Sequence, residues 1–226
     1  ADFLYDNLAI ELNVINASYV NGVKKLLFFG SACSYPKDAS QPMKEEYLFK
    51  GEPESTNAPY AMAKLAGLKL CWAFNNQYRT NFISAVPTNT YGPGDNFDPD
   101  DSHVIPALIR KFHEAKIKNK PAVSLWGSGR PLREFIYVDD LARASLFLLK
   151  KYSGSVPINI GTGNEISIRR LAEVVKEVTG FKGSINFDPS KSDGTGRKLL
   201  DSSKINKLGW KAEIGIPQGI KITYDW

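Results

Sequence analysis

The chain has 226 residues, of which 42% are hydrophobic and 23% are charged. This length and composition are typical of a globular protein with room for one large domain or for a large and a smaller one. The net charge of +5 suits small anionic ligands, but the basic residues form no dense run. We therefore expect no nucleic-acid partner.

Metal and membrane sites are also not expected. The cysteines, Cys33 and Cys71, and the histidines, His103 and His113, show neither a disulfide framework nor a zinc spacing. No apolar run approaches the ~20 residues that span a bilayer, and the chain does not open on a signal-peptide pattern. These features predict a cytoplasmic protein with no membrane partner.

The first part of the chain predicts a helix, a strand and a second helix. Residues 4–21 place Leu4, Leu8, Leu12 and Ile15 at near-helical spacing. An apolar run then ends at Gly30, as in a parallel strand that is buried on both faces. A polar stretch over 35–59 indicates a surface loop, and the next helix reaches about Tyr78, with Thr56 and Asn57 as candidate caps.

The rest of the chain alternates between short apolar runs and helical patterns. This alternation is typical of an α/β protein with parallel strands. Ser102 is a candidate cap for the third helix. The predicted strands are 82–86, 123–126, 158–160 and 184–187, and a turn at 127–129 leads into the segment 133–138. The predicted helices are 103–116, 139–151, 168–179 and two short ones around Lys204 and Pro217.

One expected element is missing. A dinucleotide-binding sheet opens with a strand, a glycine-rich turn and a helix whose amino end holds the pyrophosphate. The 18 glycines include no G-x-G-x-x-G and no G-x-x-G-x-x-G. We therefore expect the chain to be a fragment that lacks the first β-α-β units and the phosphate loop.

Tyr60 and Lys64 are the first candidate catalytic residues. They are four residues apart, so on a helix both side chains project from one face. An ammonium group beside a phenol stabilises the phenolate and favours proton transfer near neutral pH. Ser31 follows a predicted strand, where its hydroxyl would face the ligand crevice. The three residues together suggest carbonyl and alcohol redox chemistry.

Longer motifs surround these residues. Together they resemble one branch of the extended short-chain dehydrogenase/reductase family, over essentially the whole chain. In that family a Ser/Tyr/Lys triad matches Ser31, Tyr60 and Lys64. The matching segments are 30–36 (GSACSYP), 59–64 (PYAMAK), 87–93 (PTNTYGP), 96–97 (NF), 102–108 (SHVIPAL), 126–129 (WGSG), 133–135 (REF) and 193–195 (DGT).

The resemblance implies a Rossmann-type doubly wound parallel sheet with a smaller α/β substrate-binding domain. Residues 1–91 would be the remaining part of the NADP-binding domain. Residues 92–226 would be mainly substrate-binding, with elements returning to the first domain around 133–162. The family also implies a homodimer, with the helices at 4–21 and 58–79 as its bundle faces.

The resemblance also implies an activity and a cofactor. This branch epimerises GDP-4-keto-6-deoxy-D-mannose at C3 and C5 and then reduces its C4 ketone with NADPH. Cys33 and His103 would be the epimerisation pair, although a small buried side chain for the cysteine and a capping or surface role for the histidine are the plainer alternatives. The implied NADP(H) contacts are Phe29, Gly30, Ser31, Ala32, Lys64, Pro87, Thr88, Asn89, Thr90 and His103.

By the same resemblance, the GDP-sugar would contact Asn89, Lys111, Trp126, Arg133, Asp193 and Lys198. Two positions depart from the family: Lys111 stands where arginine is common, and Ala32 where serine is frequent. Trp126 could instead be a core aromatic. Two functional alternatives stay open: a UDP-hexose 4-epimerase or 4,6-dehydratase, and a nucleotide-sugar binding module without turnover.

Overall fold

The computed structural model describes all 226 residues. It contains seven α-helices and nine β-strands, interspersed with short 3-10 turns. The helices are α1 (Asp2–Val20), α2 (Ala58–Tyr78), α3 (Val104–Ile117), α4 (Val138–Lys151), α5 (Ile168–Thr179), α6 (Ser203–Lys207) and α7 (Ile216–Asp225). The strands are β1 (Leu26–Phe29), β2 (Phe82–Pro87), β3 (Asn89–Tyr91), β4 (Ala122–Trp126), β5 (Leu132–Tyr137), β6 (Ile158–Ile160), β7 (Glu165–Ser167), β8 (Ser184–Asp188) and β9 (Arg197–Lys198).

The chain forms two compact units. Unit 1 comprises residues 1–88, 141–163 and 200–212, and unit 2 comprises residues 89–140, 164–199 and 213–226. The sequence-based division at 91/92 therefore lies three residues from the first boundary. The segment that returns to unit 1 starts at 141 rather than near 133, because β5 pairs with β3, β7 and β9 of unit 2.

Unit 1 contains a parallel sheet in the order β1-β2-β6. Helix α2 connects β1 to β2, which are parallel neighbours, and α1 packs against α2. Strand β2 is buried from Phe82 through Val86, as expected for an inner parallel strand covered on both faces. This is the doubly wound α/β arrangement that the sequence predicts.

The buried face of α1 differs from the predicted one. It consists of Glu11, Ile15 and Ser18, whereas Leu12 is exposed. Of the apolar residues at near-helical spacing, Ile15 belongs to this buried face and Leu12 does not. The buried residues follow the i, i+4, i+7 spacing that starts at Glu11, so the helix brings a carboxylate into the interior.

A buried polar network holds the loop that follows Cys33. The Tyr35 hydroxyl donates to Asn159 Oδ1 over 2.6 Å, and the Asn159 amide donates to the carbonyls of Met43 and Asp201. The Glu45 carboxylate accepts from the Asn159 backbone N–H and pairs with Lys204. Since buried hydrogen-bonding groups are costly to leave unpaired, this network fixes the loop on β6.

Unit 2 contains two small sheets and its own apolar core. Strand β5 pairs in parallel with β3 and β9 and antiparallel with β7, while β4 pairs in parallel with β8. Helices α3, α5 and α7 contribute Phe112, Leu171 and Ile220, each almost fully buried, to one hydrophobic cluster. A smaller α/β body is therefore present, as predicted.

The predicted helix caps are present only in part. Asn57 takes the N-cap position of α2, as predicted, but its side chain makes no capping hydrogen bond, and Thr56 lies in the 3-10 turn Ser55–Asn57 that leads into the helix. The N-cap of α3 is His103 rather than Ser102.

None of the seven helices has the length and apolar character needed to cross a bilayer.

Candidate active site

The predicted catalytic residues divide between the two units. Ser31, Cys33, Tyr60 and Lys64 lie in unit 1, while His103 lies in unit 2 with all of the predicted GDP-sugar contacts.

Ser31 and Cys33 share one turn of 3-10 helix. Ser31 caps the turn Ala32–Ser34, and its Oγ accepts a hydrogen bond from the Cys33 backbone N–H over 3.2 Å. Because the hydroxyl acts as acceptor in this bond, its proton stays available to an oxygen of a ligand. Both side chains are half-buried, and the Cys33 thiol is free. The turn follows the carboxyl end of β1, where parallel sheets bind ligands.

The second cysteine has a different environment. Cys71 is 1% exposed in the core beside Ile15 and Phe82. Burial raises the pKa of its thiol to about 12. A buried thiol of this kind is inert, so Cys33 is the candidate for chemistry, as the sequence predicts.

Tyr60 and Lys64 lie on one face of α2, as their spacing predicts. The Lys64 Nζ is 5.6 Å from the centroid of the Tyr60 ring and 5.2 Å from that of Phe28. Both distances lie within the range of a cation–π contact. The helix therefore holds a cation beside the Tyr60 ring.

The charged partner of Lys64 is Glu11, a residue that the sequence analysis missed. The Lys64 Nζ lies 3.0 Å from Glu11 Oε1, and the Glu11 side chain is 5% exposed. Burial raises the pKa of Glu11, and the Lys64 ammonium opposes that shift. The signal that could have found this residue is its position four residues before Ile15, on the stripe that α1 buries.

The predicted cofactor contacts of β2 and β3 lie at strand ends. Pro87 ends β2, and the buried Thr88 donates its backbone N–H to the Ile160 carbonyl over 2.9 Å. In unit 2, Asn89 starts β3 and its amide donates to the Glu134 carbonyl over 2.9 Å. Asn89 therefore ties β3 to β5 and keeps its carbonyl oxygen as an acceptor.

His103 is exposed at the start of α3. Its backbone takes the N-cap position, but its imidazole makes no capping hydrogen bond. The capping alternative from the sequence analysis therefore describes the backbone and not the ring. His113, by contrast, places Nδ1 3.0 Å from the Tyr224 hydroxyl and packs on that ring.

Lys111 and Trp126 come together in unit 2. The Trp126 side chain is 73% exposed, which excludes the core-aromatic alternative. The Lys111 Nζ lies 5.8 Å from its ring centroid, and the Nζ of Lys191 lies at 6.0 Å. An exposed indole flanked by two ammonium groups is suited to a planar, anionic ligand.

Arg133 and Lys198 are neighbours across two parallel strands. They are register partners on β5 and β9, so their side chains leave the same face of the sheet. Burial lowers the pKa of the Arg133 guanidinium, and the Asp193 carboxylate opposes this shift. Two adjacent cations form a site that suits a diphosphate.

Asp193 is engaged in the turn that follows β4. Its carboxylate accepts from the Ser128 backbone N–H over 2.6 Å and from the Ser128 hydroxyl over 2.7 Å. These hydrogen bonds lower the pKa of Asp193. Gly127 has φ +80°, and a Cβ there would collide with Asp193 Oδ1. Asp193 therefore shapes the turn that follows Trp126.

The donor set of unit 1 fits the nicotinamide ribose of a dinucleotide. An ammonium group and a phenol on α2 can bind ribose hydroxyls, and the carboxyl ends of β1 and β2 are neighbours in the sheet. Lys64 and Tyr60, with the backbone of Gly30 and Thr88, are the residues that would hold this half of the cofactor.

Comparisons with known proteins agree with this geometry. The sequence profile of the NAD dependent epimerase/dehydratase family matches residues 1–161. The chain is 56% identical to a GDP-L-fucose synthase of Sinorhizobium fredii, with 100% of this chain and 72% of that protein covered. It is 51% identical to the Escherichia coli GDP-L-fucose synthase, covering 73% of that protein, and 54% identical to GDP-L-fucose synthase 1 of Arabidopsis thaliana, covering 70%.

Solved structures are similar as well. A GDP-L-fucose synthetase from Naegleria fowleri bound to NADP superposes with a TM-score of 0.95 at 33% identity, covering 100% of this chain and 72% of that one. A GDP-6-OMe-4-keto-L-xylo-heptose reductase from C. jejuni gives 0.94 at 42% identity, covering 76% of that chain. The fold and these matches agree, and the chain belongs to the NAD dependent epimerase/dehydratase family.

Proposed function

We propose that the protein is a GDP-L-fucose synthase, which epimerises GDP-4-keto-6-deoxy-D-mannose at C3 and C5 and then reduces the C4 ketone. The observation that carries this proposal is the single turn that holds Ser31 and Cys33 at the end of β1. The Ser31 hydroxyl, which would bind the C4 oxygen, and the free Cys33 thiol, which would transfer a proton at a carbon next to C4, can therefore act on one substrate. Identities of 51 to 56% to proteins of that name support the same reaction.

Reduction needs a proton donor for the C4 oxygen. Tyr60 gives its hydroxyl proton to that oxygen, and Ser31 donates a second hydrogen bond to it. The Lys64 ammonium lies beside the Tyr60 ring and stabilises the phenolate that results. NADPH, when bound, supplies the hydride that reduces C4. Lys64 also binds the nicotinamide ribose.

Epimerisation needs a base and an acid that reach the carbons next to the ketone. Removal of a proton from C3 or C5 leaves an enolate whose charge lies on the C4 oxygen, where Ser31 and Tyr60 donate hydrogen bonds. Return of a proton to the opposite face inverts the carbon. We assign these transfers to Cys33 and His103, since the first is a free thiol and the second carries an imidazole that is not used as a cap.

The GDP portion is assigned to unit 2. Arg133 and Lys198 bind the diphosphate as adjacent cations, and the exposed Trp126 with Lys111 forms a wall for a planar group. Asp193 supports this wall through Ser128, and Asn89 faces the sugar. The cytoplasmic location stays a prediction.

A product assay tests the proposed function. The intact protein is supplied with GDP-4-keto-6-deoxy-D-mannose and NADPH, nicotinamide absorbance is followed, and the sugar product is identified. Loss of absorbance with formation of GDP-L-fucose is the expected result. Reduction without inversion at C3 and C5 would make the protein a simple ketoreductase, comparable to the GDP-6-OMe-4-keto-L-xylo-heptose reductase from C. jejuni. Interconversion of a UDP-sugar with no net oxidation of NADPH would assign the protein to the 4-epimerases. Binding of the nucleotide sugar without turnover would make it a non-catalytic binding module.

We also propose a homodimer formed through α1 and α2. These helices expose large apolar side chains, among them Ile10, Leu12 and Trp72. Between them runs a mostly apolar groove of about 400 Å³, which is lined by Leu8, Leu12, Ala66, Leu70 and Ala73 together with Glu11, Gly67 and Lys69. A contiguous apolar surface of this kind is typical of an interface between subunits.

Leu12→Lys should convert the dimer to a monomer. The substitution places an ammonium group in the apolar surface, and burying it against a second copy would be costly. Since Leu12 is 51% exposed in the single chain, the fold itself should survive. Light scattering coupled to gel filtration measures the mass. Ile117→Lys, at a 64% exposed position of unit 2, is the matched control and should stay dimeric; equal masses for the two variants would contradict the proposed interface.

A further inference from the structure

The buried carboxylate of Glu11 has no role in the reaction described so far. It lies on α1, three turns of helix after the start of the chain, and 3.0 Å from the ammonium of the catalytic Lys64. Apart from this contact with Lys64, neither of its oxygens has a hydrogen-bond partner. Lys64 is thus its one ionic partner, and the pair is largely shielded from water, with side-chain exposures of 5% and 17%.

The surrounding chain makes room for this carboxylate. Gly67 lies on α2 close to it, and a Cβ at that position would stand 2.7 Å from Glu11 Oε2 and would overlap Phe28 Cζ. Only a glycine therefore allows α1, α2 and the Phe28 ring to enclose the carboxylate. Phe28 in turn contacts the Lys64 ammonium with its ring. Helices α1 and α2 and strand β1 together hold the Glu11 carboxylate next to the Lys64 ammonium.

Stability does not account for the pair. Replacing a buried ion pair by apolar side chains of similar volume is often neutral or stabilising, because two charges are expensive to remove from water. The groove that Glu11 lines is otherwise mostly apolar, with Lys69 as its other charged residue, so an apolar residue would pack well at this position. A carboxylate at this position is better explained by what it does to Lys64.

We propose that Glu11 is a positioning residue, whose carboxylate holds the Lys64 ammonium on the face of α2 that carries Tyr60. The importance of Lys64 to the reaction rests on the proposed function, whereas the hold of Glu11 on Lys64 does not. With the carboxylate removed, the lysine loses its counter-ion and its fixed position beside the Tyr60 ring. Glu11 itself would not touch substrate or cofactor.

Trace acetylation of the purified protein tests the hold on Lys64 without catalysis. Acetic anhydride reacts with the neutral amine, and peptide mass spectrometry reads the modification of each lysine. In Glu11→Gln, Lys64 should react several-fold faster than in the unsubstituted protein, since its amine is no longer held in the ion pair. Glu11→Asp keeps the charge on a shorter side chain and should give an intermediate rate of Lys64 acetylation. This variant replaces Glu11→Gln in the test if Glu11→Gln does not fold.

Glu45→Gln is the matched control. Glu45 is also 5% exposed and also pairs with a lysine, Lys204, over 3.1 Å. This variant should speed the acetylation of Lys204 and leave that of Lys64 unchanged. A Lys64 rate in Glu11→Gln equal to that of the unsubstituted protein would overturn the proposal.

Kinetics of the intact protein test the consequence for the reaction. Misplacing Lys64 by about 1 Å should lower kcat for NADPH-dependent reduction by about 10- to 100-fold, with the KM for the GDP-sugar unchanged and with partial recovery in Glu11→Asp. A loss that appears in KM, or none at all, would overturn the positioning role. If the unsubstituted protein reduces no GDP-keto-sugar, the proposed function fails, and acetylation still decides whether Glu11 holds Lys64.

Discussion

Tyr60→Phe should abolish reduction of the GDP-keto-sugar while leaving the protein folded. The substitution removes only the hydroxyl that gives a proton to the C4 oxygen. A positioned general acid contributes about 10²–10⁴-fold to a rate, so NADPH oxidation should fall by that factor. The measurement is nicotinamide absorbance at saturating substrate, with the melting temperature recorded in parallel.

The control for this substitution lies on the same helix. Tyr78 is half-exposed near the end of α2 and stacks on Tyr19 at a centroid distance of 4.3 Å. Tyr78→Phe removes a hydroxyl from the same element and should reduce the substrate at the unsubstituted rate. A near-normal rate of hydride transfer in Tyr60→Phe would contradict the assignment of Tyr60 as the proton donor.

Cys33→Ser and His103→Gln should each suppress exchange at the epimerised carbons. In deuterated water the unsubstituted protein should incorporate deuterium at C3 and C5, because each inversion passes through loss and return of a proton. A serine hydroxyl is a far weaker acid than a thiol, and a glutamine amide cannot transfer the proton at all, so exchange should fall by about 10²-fold or more. Mass spectrometry of the product sugar measures the exchange.

Comparison among variants separates epimerisation from reduction. His113→Gln is the matched histidine control on α3, and its exposed ring contacts Tyr224; exchange should be normal. Tyr60→Phe should impair exchange less than Cys33→Ser or His103→Gln does. If both of the latter variants exchanged normally, the epimerase assignment would be wrong, while a simple reductase would survive.

Much of the fold could be predicted from the sequence because its strongest patterns are local. The helix predicted over 168–179 matches the observed Ile168–Thr179. In the structure Ser167 caps its start and Gly180 ends it in the left-handed conformation, which are local signals. The short strands β3, β7 and β9 were missed as strands. Their two or three residues carry no readable alternation, and only their pairing with β5 defines them.

Candidate site residues could be named from the sequence, but the hydrogen-bond and ion-pair partners of their side chains could not. The triad followed from spacing and resemblance, whereas the Glu11 partner of Lys64 is 53 positions away in the chain and depends on how α1 packs against α2. The hold of Asp193 on Ser128 likewise joins residues 65 positions apart. Contacts of this kind follow from tertiary packing, which no local pattern contains.

The hydrogen bond between the Cys33 backbone N–H and Ser31 Oγ bears on how new specificities could arise from this scaffold. Any backbone shift that moved the thiol would also move the hydroxyl, so the two proposed activities cannot be retuned separately by reshaping the turn. Replacing the thiol leaves the N–H donor, and with it the placement of Ser31, intact. An enzyme that reduces without inverting is therefore accessible from this scaffold by exchanging one side chain, and a bifunctional enzyme could lose one activity without a loss of fold.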